Sequence, residues 1–405
     1  MINSEAIMDW GQEAARRLAE IAECSAPGPG VTRFPFTVAH RAAIAQIDQW
    51  MTRAGLTVHM DAAGTVVGRR EGPAGAGTLL IGSHQDSVRG GGAYDGIMGI
   101  ALACLALERL ADRDLPFAVE VLAFADEEGV RFPTALMGPR ALAGTFDPGV
   151  LERCDAEGVS LRQALAEFGG DPEAVAGLRR DPAGIRGYLE LHIEQGPVLE
   201  RAGQPVGVVS SICGIERNAL TFRGETGHAG TVPMEARRDA LVAASGLIAA
   251  LPGVAADWPG LRATVGEMHL HPNVANAIPE EVRLVLEIRA EQDADREACA
   301  ARCREMAEAG ARAAGCEVSF ERSYVQPAMA CDADLVAVLR RAAGEGVPIL
   351  PSGATHDASA MADLCPMAML FLRCRGGLSH RPEEYASPED MGVAVEVLAR
   401  ALVEM

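Results

Sequence analysis

GSHQDSVRGGGAYDG, residues 82–96, decides how the rest of the chain is read. The apolar run TLLIGSH (78–84) ends on His84, Asp86 follows, and a glycine-rich loop leads to Asp95 within YDG. A short apolar run bounded by turn residues predicts a buried strand. The stretch therefore reads as a strand that stops on an imidazole with carboxylates just beyond it. That is one half of a metal site, and the other half has to come from elsewhere in the chain.

Downstream, IMGIALACLALERLAD (97–112) predicts a buried helix and FAVEVLAFADEEG (117–129) a strand ending in acids. Strand, helix, strand in that order implies a parallel pair with a crossover helix. Ligands of open parallel sheets collect at the carboxyl ends of the strands. His84 and the pair Glu127–Glu128 fall at such ends. Upstream, residues 5–23 and 38–54 read as helices, the second capped by Thr37, and LTVHMD with TVVGRR reads as a hairpin. Residues 150–187 are expected to be helical, acidic and surface-exposed. YLELHIEQG (188–196) is a short strand ending on His192 and Glu194, and VGVVSSICGI (206–215) is another.

From about residue 214 the pattern changes. Strand 217–223, a helix through 250, strands 262–270 and 281–289, helix 293–314 and strand 316–323 form a compact alternation that suits an inserted four-stranded α/β sandwich. QPAMACDADL (326–335) leads back, and the tail supplies the strand MAMLFLR (367–373), the loop CRGGLSHRPEEY and a closing helix from about 388. The expectation is an α/β protein of two domains. A discontinuous metal-binding domain (1–213 and 328–405) carries a mixed, mostly parallel sheet with flanking helices, and the inserted domain covers 214–327. A length of 405 residues suits two cores.

Composition excludes much. The net charge is −20 without a basic run, which argues against nucleic acid or an anionic membrane as partner. No uninterrupted apolar stretch is long enough to span a bilayer. The first residues lack the basic start and apolar middle of a signal peptide, so a cytoplasmic location is expected. The ten cysteines form no CxxC motif. Cys299 and Cys303, one helical turn apart, are the pair best spaced for an accidental metal site, but free thiols in a reducing compartment are the simpler reading. All 36 basic residues are arginine. Without lysine there is no Schiff base, no P-loop lysine, no Glu-Lys-Cys amidase and no carbamylated-lysine metal bridge. GxSxG is absent too. Among common ways to cleave an amide, a metal-bound hydroxide remains.

Taken singly, each candidate has a plain structural explanation: a strand-end histidine beside a turn aspartate for His84 and Asp86, an Asp-Gly turn for Asp95, an acidic helix start for Glu127–Glu128, a satisfied core histidine for His192, a loop histidine for His380. Together they are three histidines and several carboxylates at strand ends, in an order that a doubly wound sheet can bring to one place. Such N/O donor sets suit zinc, manganese, cobalt or nickel.

GSHQDSV, GGGAYDG, ADEEGVRF, LELHIEQGPVLE, GHAGTVPMEARRDA, PNVANAIP and LSHRPEE, in this order, resemble the metal-dependent aminoacylase and carboxypeptidase superfamily. Within it they are similar to the branch of N-carbamoyl-L-amino-acid amidohydrolases, allantoate and ureidoglycolate amidohydrolases and β-ureidopropionases. Gly96 after Asp95 also fits that branch. The resemblance implies two divalent metal ions held by His84, Asp95, Glu128, His192 and His380, with Asp95 bridging. It implies Glu127 as general base, Asp86 orienting His84, and His228 stabilising the oxyanion from the inserted domain. Asn276, Arg289 and Arg217 would grip the carboxylate and carbamoyl ends of a small ureido or carbamoyl acid, with Gln195 near the metals and His356 near the substrate. It further implies a homodimer formed through the inserted domain, whose closure excludes water from the site. Thr355 stands where the branch has glycine, Arg381 where it has asparagine, and EIR replaces DxR before Arg289. These departures touch substrate choice rather than hydrolysis. The competing readings are an N-acyl-amino-acid deacylase or peptidase of the wider superfamily, and a ureido-acid binding protein that has lost catalysis.

Overall fold

The computed structural model describes residues 4–405, with side chains described from residue 7. Residues 1–3, which the expected first domain includes, lie outside the described residues. The chain divides into two compact units, one running to Ser210 and resuming at Cys331, the other spanning Ser211–Ala330.

The first unit opens with α1 (Ser4–Ala22), α2 (Val38–Arg53) and the antiparallel pair β1 (Thr57–Met60) and β2 (Val66–Arg70). Then come β3 (Thr78–His84), α3 (Ile97–Arg109), β4 (Ala118–Phe124), α4 (Met137–Ala143), α5 (Leu161–Phe168), β5 (Ile185–Ile193), α6 (Val198–Ala202) and β6 (Val206–Ile212). The second unit holds β7 (Gly214–Arg223), α7 (Ala240–Ala255), β8 (Arg262–His271), β9 (Glu281–Ala290), α8 (Asp293–Ala313), β10 (Glu317–Gln326) and β11 (Met329–Ala330). The chain ends with α9 (Ala333–Ala343), β12 (Ile349–Ser352), α10 (Asp357–Met361), β13 (Met367–Leu372) and α11 (Pro388–Glu404).

The large sheet runs β1-β2-β4-β3-β5-β13-β6-β11, with β12 also on β6. β4, β3, β5 and β13 are mutually parallel, and β2 and β6 join antiparallel at the flanks. Strands covered on both faces must be apolar throughout, and every residue of β3, β4 and β13 is buried. α3 is an Ala- and Leu-rich crossover, buried from Ile97 to Leu107. The β3–β4 register sets His84 beside Phe124, so the loops after the two strands leave the sheet side by side. His192 lies near the end of neighbouring β5.

The second unit is a four-stranded antiparallel sheet ordered β10-β7-β9-β8. β9 alternates between buried and partly exposed residues. Val282, Leu284, Leu286 and Ile288 face a core shared with α7 and α8. Each such side chain contributes about 1.5–3 kcal/mol when fully buried.

Two sequence expectations are corrected. Residues 150–187 are largely exposed, as expected, but they are not mainly helical, and they bury a few apolar side chains. α5 is short, the flanking segments are 3₁₀ turns, and Val150, Leu151, Leu161, Leu165, Phe168 and Val175 form a satellite core with Phe36 and Phe132. The strand expected over 117–129 stops at Phe124, so the acids that follow stand on a loop rather than on the strand.

Candidate active site

The loops beyond β3, β4, β5 and β13 carry a cluster of imidazoles and carboxylates that is largely buried, with His380 exposed. His84, at the tip of β3, directs Nδ1 to the main-chain oxygen of Asp86 at 3.0 Å. The Asp86 carboxylate lies farther away, at 3.5 Å from that nitrogen. Its two oxygens instead accept the main-chain N–H groups of Glu127 (3.1 Å) and Glu128 (3.2 Å). Asp86 thus ties the end of β3 to the acidic loop after β4. The expectation that its carboxylate orients His84 is refined: the main-chain carbonyl is the closer partner.

With Nδ1 engaged, Nε2 of His84 faces Asp95, 3.9 Å from Oδ1. His192 repeats the device, with Nδ1 on the Ile193 carbonyl (2.9 Å) and Nε2 3.1 Å from the same Asp95 oxygen. His380 brings Nε2 to 3.1 Å from Asp95 Oδ2 and 3.8 Å from Glu128 Oε2. A main-chain acceptor on one ring nitrogen fixes the tautomer and leaves the other free for a metal. Gln195 donates Nε2 to both Asp95 oxygens, at 3.3 and 3.2 Å.

Backbone strain marks the same place. Five non-glycine residues among those described have left-handed φ, and Gln195 (56°) and His380 (59°) are two of them. Each such conformation costs about 1–3 kcal/mol and persists only where its surroundings enforce it. Gly96 (φ 65°) is required twice over, because a Cβ there would meet the His84 ring at 2.4 Å.

The donor atoms fall into overlapping groups whose members lie within 4.8 Å of one another: His84–Asp95–His192, His84–Glu127–Glu128, Asp95–Glu128–His380 and Glu190–His192–His356. Electrostatics and hydrogen bonding test whether these residues fit a cation. Burial works against charge on His84, yet the Asp86 interaction and the charges of Glu127, Asp86 and Asp95 outweigh it and hold the ring well above its usual range. Burial would raise Asp95, yet hydrogen bonds from His192 and His380 hold it well below. The contact with Asp95 lifts His380 to about 8. Burial drives Glu127 well above the normal carboxylate range; His84 opposes this, and Glu128, Asp357 and Asp86 reinforce it. Burial likewise carries Glu128 to about 7, and its buried Oε1 has no hydrogen-bond partner. A buried cluster that raises Glu127 and Glu128 towards protonation and His84 and His380 towards the charged form, and leaves Glu128 Oε1 without a partner, favours added positive charge, and the N/O donor set suits divalent ions. The residues fit.

Several participants were not picked out from the sequence. Glu190 is buried beneath His192 and accepts from Ser83 Oγ (3.1 Å), Tyr188 OH (3.3 Å) and Ala358 N (2.8 Å). Asp357 is fully buried. Glu384 and Ser379 pack against Asp95. His356, which the resemblance did single out, is buried with them; it stacks edge-on against His192 at 4.4 Å and meets Ser352 Oγ at 2.7 Å. Burial, and then the charge of His192, hold it well below the usual histidine range.

The remaining candidates belong to the second unit. Arg217 and Arg289 share one carboxylate, Glu287, at 2.7 and 2.8 Å, and Arg217 also lies over the Tyr324 ring. His228 is exposed, accepts from Gly230 N at 3.1 Å and forms a β-bridge with Ala277, while Ala229 N donates to the main-chain oxygen of Asn276. Cys299 and Cys303 are buried free thiols and join none of the candidate metal groups among the described residues. Arg381, on the loop of His380, is held outward by Glu383. Among the described residues, no helix is long and apolar enough to cross a membrane.

Comparison with known proteins agrees with this geometry. Residues 55–404 match peptidase family M20/M25/M40. The N-carbamoyl-L-amino acid amidohydrolase of Geobacillus stearothermophilus is 38% identical over 96% of this chain and 97% of its own. The allantoate deiminase of Arabidopsis thaliana is 39% identical over 94% of this chain and 80% of its own. The crystal structure of an amidase of the hydantoinase/carbamoylase family from Burkholderia multivorans superposes with a TM-score of 0.89 at 34% identity, covering 97% of both chains. The chain is therefore a member of the metal-dependent peptidase family M20/M25/M40, on the side of that family occupied by carbamoylase-type amidases rather than by peptidases.

Proposed function

We propose that this protein hydrolyses the carbamoyl or ureido C–N bond of a small carboxylate substrate, of the allantoate or N-carbamoyl-L-amino-acid type. It does so with two divalent metal ions per subunit, zinc foremost, with manganese, cobalt or nickel compatible with the same donors. The observation that carries this reading is the gathering of three imidazoles and the carboxylates of Asp95 and Glu128 in overlapping groups, with Glu127 in one of them. His84, Asp95, Glu128, His192 and His380 would hold the ions. When bound, the ions supply a water acidified towards neutral pH and a polarised substrate carbonyl.

Glu127 takes the proton from the attacking water and delivers it to the leaving nitrogen, the task of a buried carboxylate whose proton affinity is raised above the ordinary range. Asp86 holds Glu127 and Glu128 in register through their main-chain N–H groups. Gln195 steadies Asp95. His356 faces the substrate from beside His192. In the second unit, His228 stabilises the oxyanion, and Asn276, Arg289 and Arg217 bind the carboxylate and carbamoyl ends. Arginine suits that task because its planar fork matches a carboxylate. Support for the substrate class comes from the named relatives and the amidase neighbour.

The second unit would serve as lid and dimerisation domain of a homodimer, which light scattering of the purified protein tests. Ten free cysteines support a reducing, cytoplasmic setting, and a net charge of −20 supports a protein without nucleic-acid or membrane partners.

The deciding experiment measures ammonia release from a panel of allantoate, ureidoglycolate and N-carbamoyl-L-amino acids, and free amino-acid release from N-acyl-amino acids and dipeptides alongside, with elemental analysis of the same sample. Turnover of ureido or carbamoyl acids that a chelator abolishes and divalent metal restores is the expected result. Turnover confined to N-acyl-amino acids or dipeptides would replace it with a deacylase or peptidase.

A further inference from the structure

The loop that carries Asp95 and the loop that carries His380 are almost three hundred residues apart in sequence, yet one side chain fastens them together. Glu384 is 4% exposed. Its Oε1 accepts the main-chain N–H groups of Tyr94 (2.9 Å) and Asp95 (3.0 Å), and its Oε2 accepts from Ser379 Oγ at 2.8 Å. Ser379 is also 3.2 Å from Gln195 Nε2, the amide that donates to Asp95. The fit is tight, because a Cβ on Gly92 would meet the Glu384 side chain at 2.2 Å. The loop is closed behind it by Arg375 N donating to the Tyr385 carbonyl, and Tyr94 meets Tyr385 ring to ring at 5.9 Å.

A carboxylate buried beside Asp95 is an electrostatic burden on the cluster. Its place is explained by geometry: it is one acceptor that reads two consecutive amides of the Asp95 loop and a hydroxyl next to His380. Asp95 and His380 Nε2 stand 3.1 Å apart, and His380 has left-handed backbone. Neither position holds itself.

We infer that Glu384 is a positioning residue that sets the separation of Asp95 and His380, and thereby the affinity of the centre for the cation those two residues share. The inference rests on the ligand assignment proposed above and adds to it a residue outside that set. Partners of this kind behind a metal ligand typically change affinity by about 10- to 100-fold when removed.

The test strips the protein with a chelator and titrates it with cobalt(II) alone, following heat of binding and visible absorption, for the wild type, Glu384→Gln, Glu384→Ala and Gly92→Ala. Gln keeps a carbonyl oxygen for the two amides and offers its amide N–H to Ser379, so cobalt affinity within about threefold of wild type is expected. Ala removes the acceptor, and Gly92→Ala leaves the carboxylate intact but pushes its stem aside. Both are expected to weaken the tighter cobalt site about 10-fold or more. If Ala fails to fold, the Gln and Gly92→Ala proteins decide. Wild-type affinity in both Ala variants overturns the inference, as does a Gln variant as weak as Glu384→Ala, which would make charge rather than acceptor geometry the cause. A wild type that takes up no cobalt would instead overturn the ligand assignment beneath it.

Discussion

The two units hold their candidate site residues differently, although the first leaves His380 half exposed and the second buries an Arg296–Glu216 pair of its own. In the first, His84, Asp86, Asp95 and His192 are at most 6% exposed, and every one of them has its remaining polar atoms committed to main chain or to a neighbour. In the second, the Arg217 side chain is 46% exposed and that of Arg289 26%, both lean on one partly exposed carboxylate, and His228 faces solvent. A buried, cross-braced cluster is preorganised, so chemistry assigned to it should collapse when one atom changes. Half-exposed arginines on a shared Glu287 can exchange that partner for a ligand, so binding assigned to them should weaken by degrees.

The largest expected effect tests the first half of that contrast. Glu127→Gln preserves shape and removes the proton acceptor. It should lower kcat by about 10³-fold or more, as loss of a general base and of its charge commonly does. Metal content, read by elemental analysis, should stay at the wild-type level. Near-normal turnover in this variant would remove Glu127 from its assigned role. Wild-type metal content without turnover would leave it there.

How much of this was open to inspection in the sequence follows the same division. Apolar runs that stop on His84 and His192 announce strand ends, and parallel pairing then draws neighbouring ends together. Contacts with main-chain atoms were closed to such reading. Nothing in GSHQD says that the Asp86 carboxylate will cap the amides of Glu127 and Glu128 while its carbonyl receives His84. Glu384 was equally hidden, because its partners lie far away in the chain. Residues 150–187 misled for a different reason. Their acids and glycines rightly read as surface, but sparsely spaced Leu161, Leu165, Phe168 and Val175 are enough to close a small core without a long helix. In the second unit, the sharing of Glu287 follows from register, since Arg217 sits opposite Glu287 on β7 and β9, and Arg289 lies two residues along the same strand and face.

Arg289→Ala sharpens the second half of the contrast. Removing one cation from a partly exposed pair should cost about 30-fold in kcat/KM, mostly through KM, with metal content and melting temperature nearly unchanged. The measurement is a full saturation curve on the best substrate of the panel. A fall in kcat with KM constant would mean that Arg289 acts in the transition state rather than in binding, and the graded picture of the second unit would fail.

The smallest effect concerns stability and separates the units by acid. His40 on α2 is fully buried, accepts from Phe36 N on Nδ1 (2.8 Å) and stacks on Phe168 at 4.8 Å. Burial lowers its pKa to about 3. The histidines of the second unit (His228, His269 and His271) are all exposed. Because the folded state keeps His40 neutral, its contribution is fully present above the unfolded value near 6.5 and is lost as pH falls below it, when the unfolded chain binds a proton that the folded chain refuses. The slope is about 1.4 kcal/mol per pH unit between roughly 6.5 and 3. Other buried groups also titrate in this range, so the test is a difference: metal-free wild type against His40→Asn, unfolded by urea at pH 7 and pH 5.5. The advantage of the wild type should shrink by about 1.4 kcal/mol between the two. A constant difference would show that His40 is protonated in the native protein or reaches water, and the claim that the first unit excludes solvent as far as this helix would have to be withdrawn.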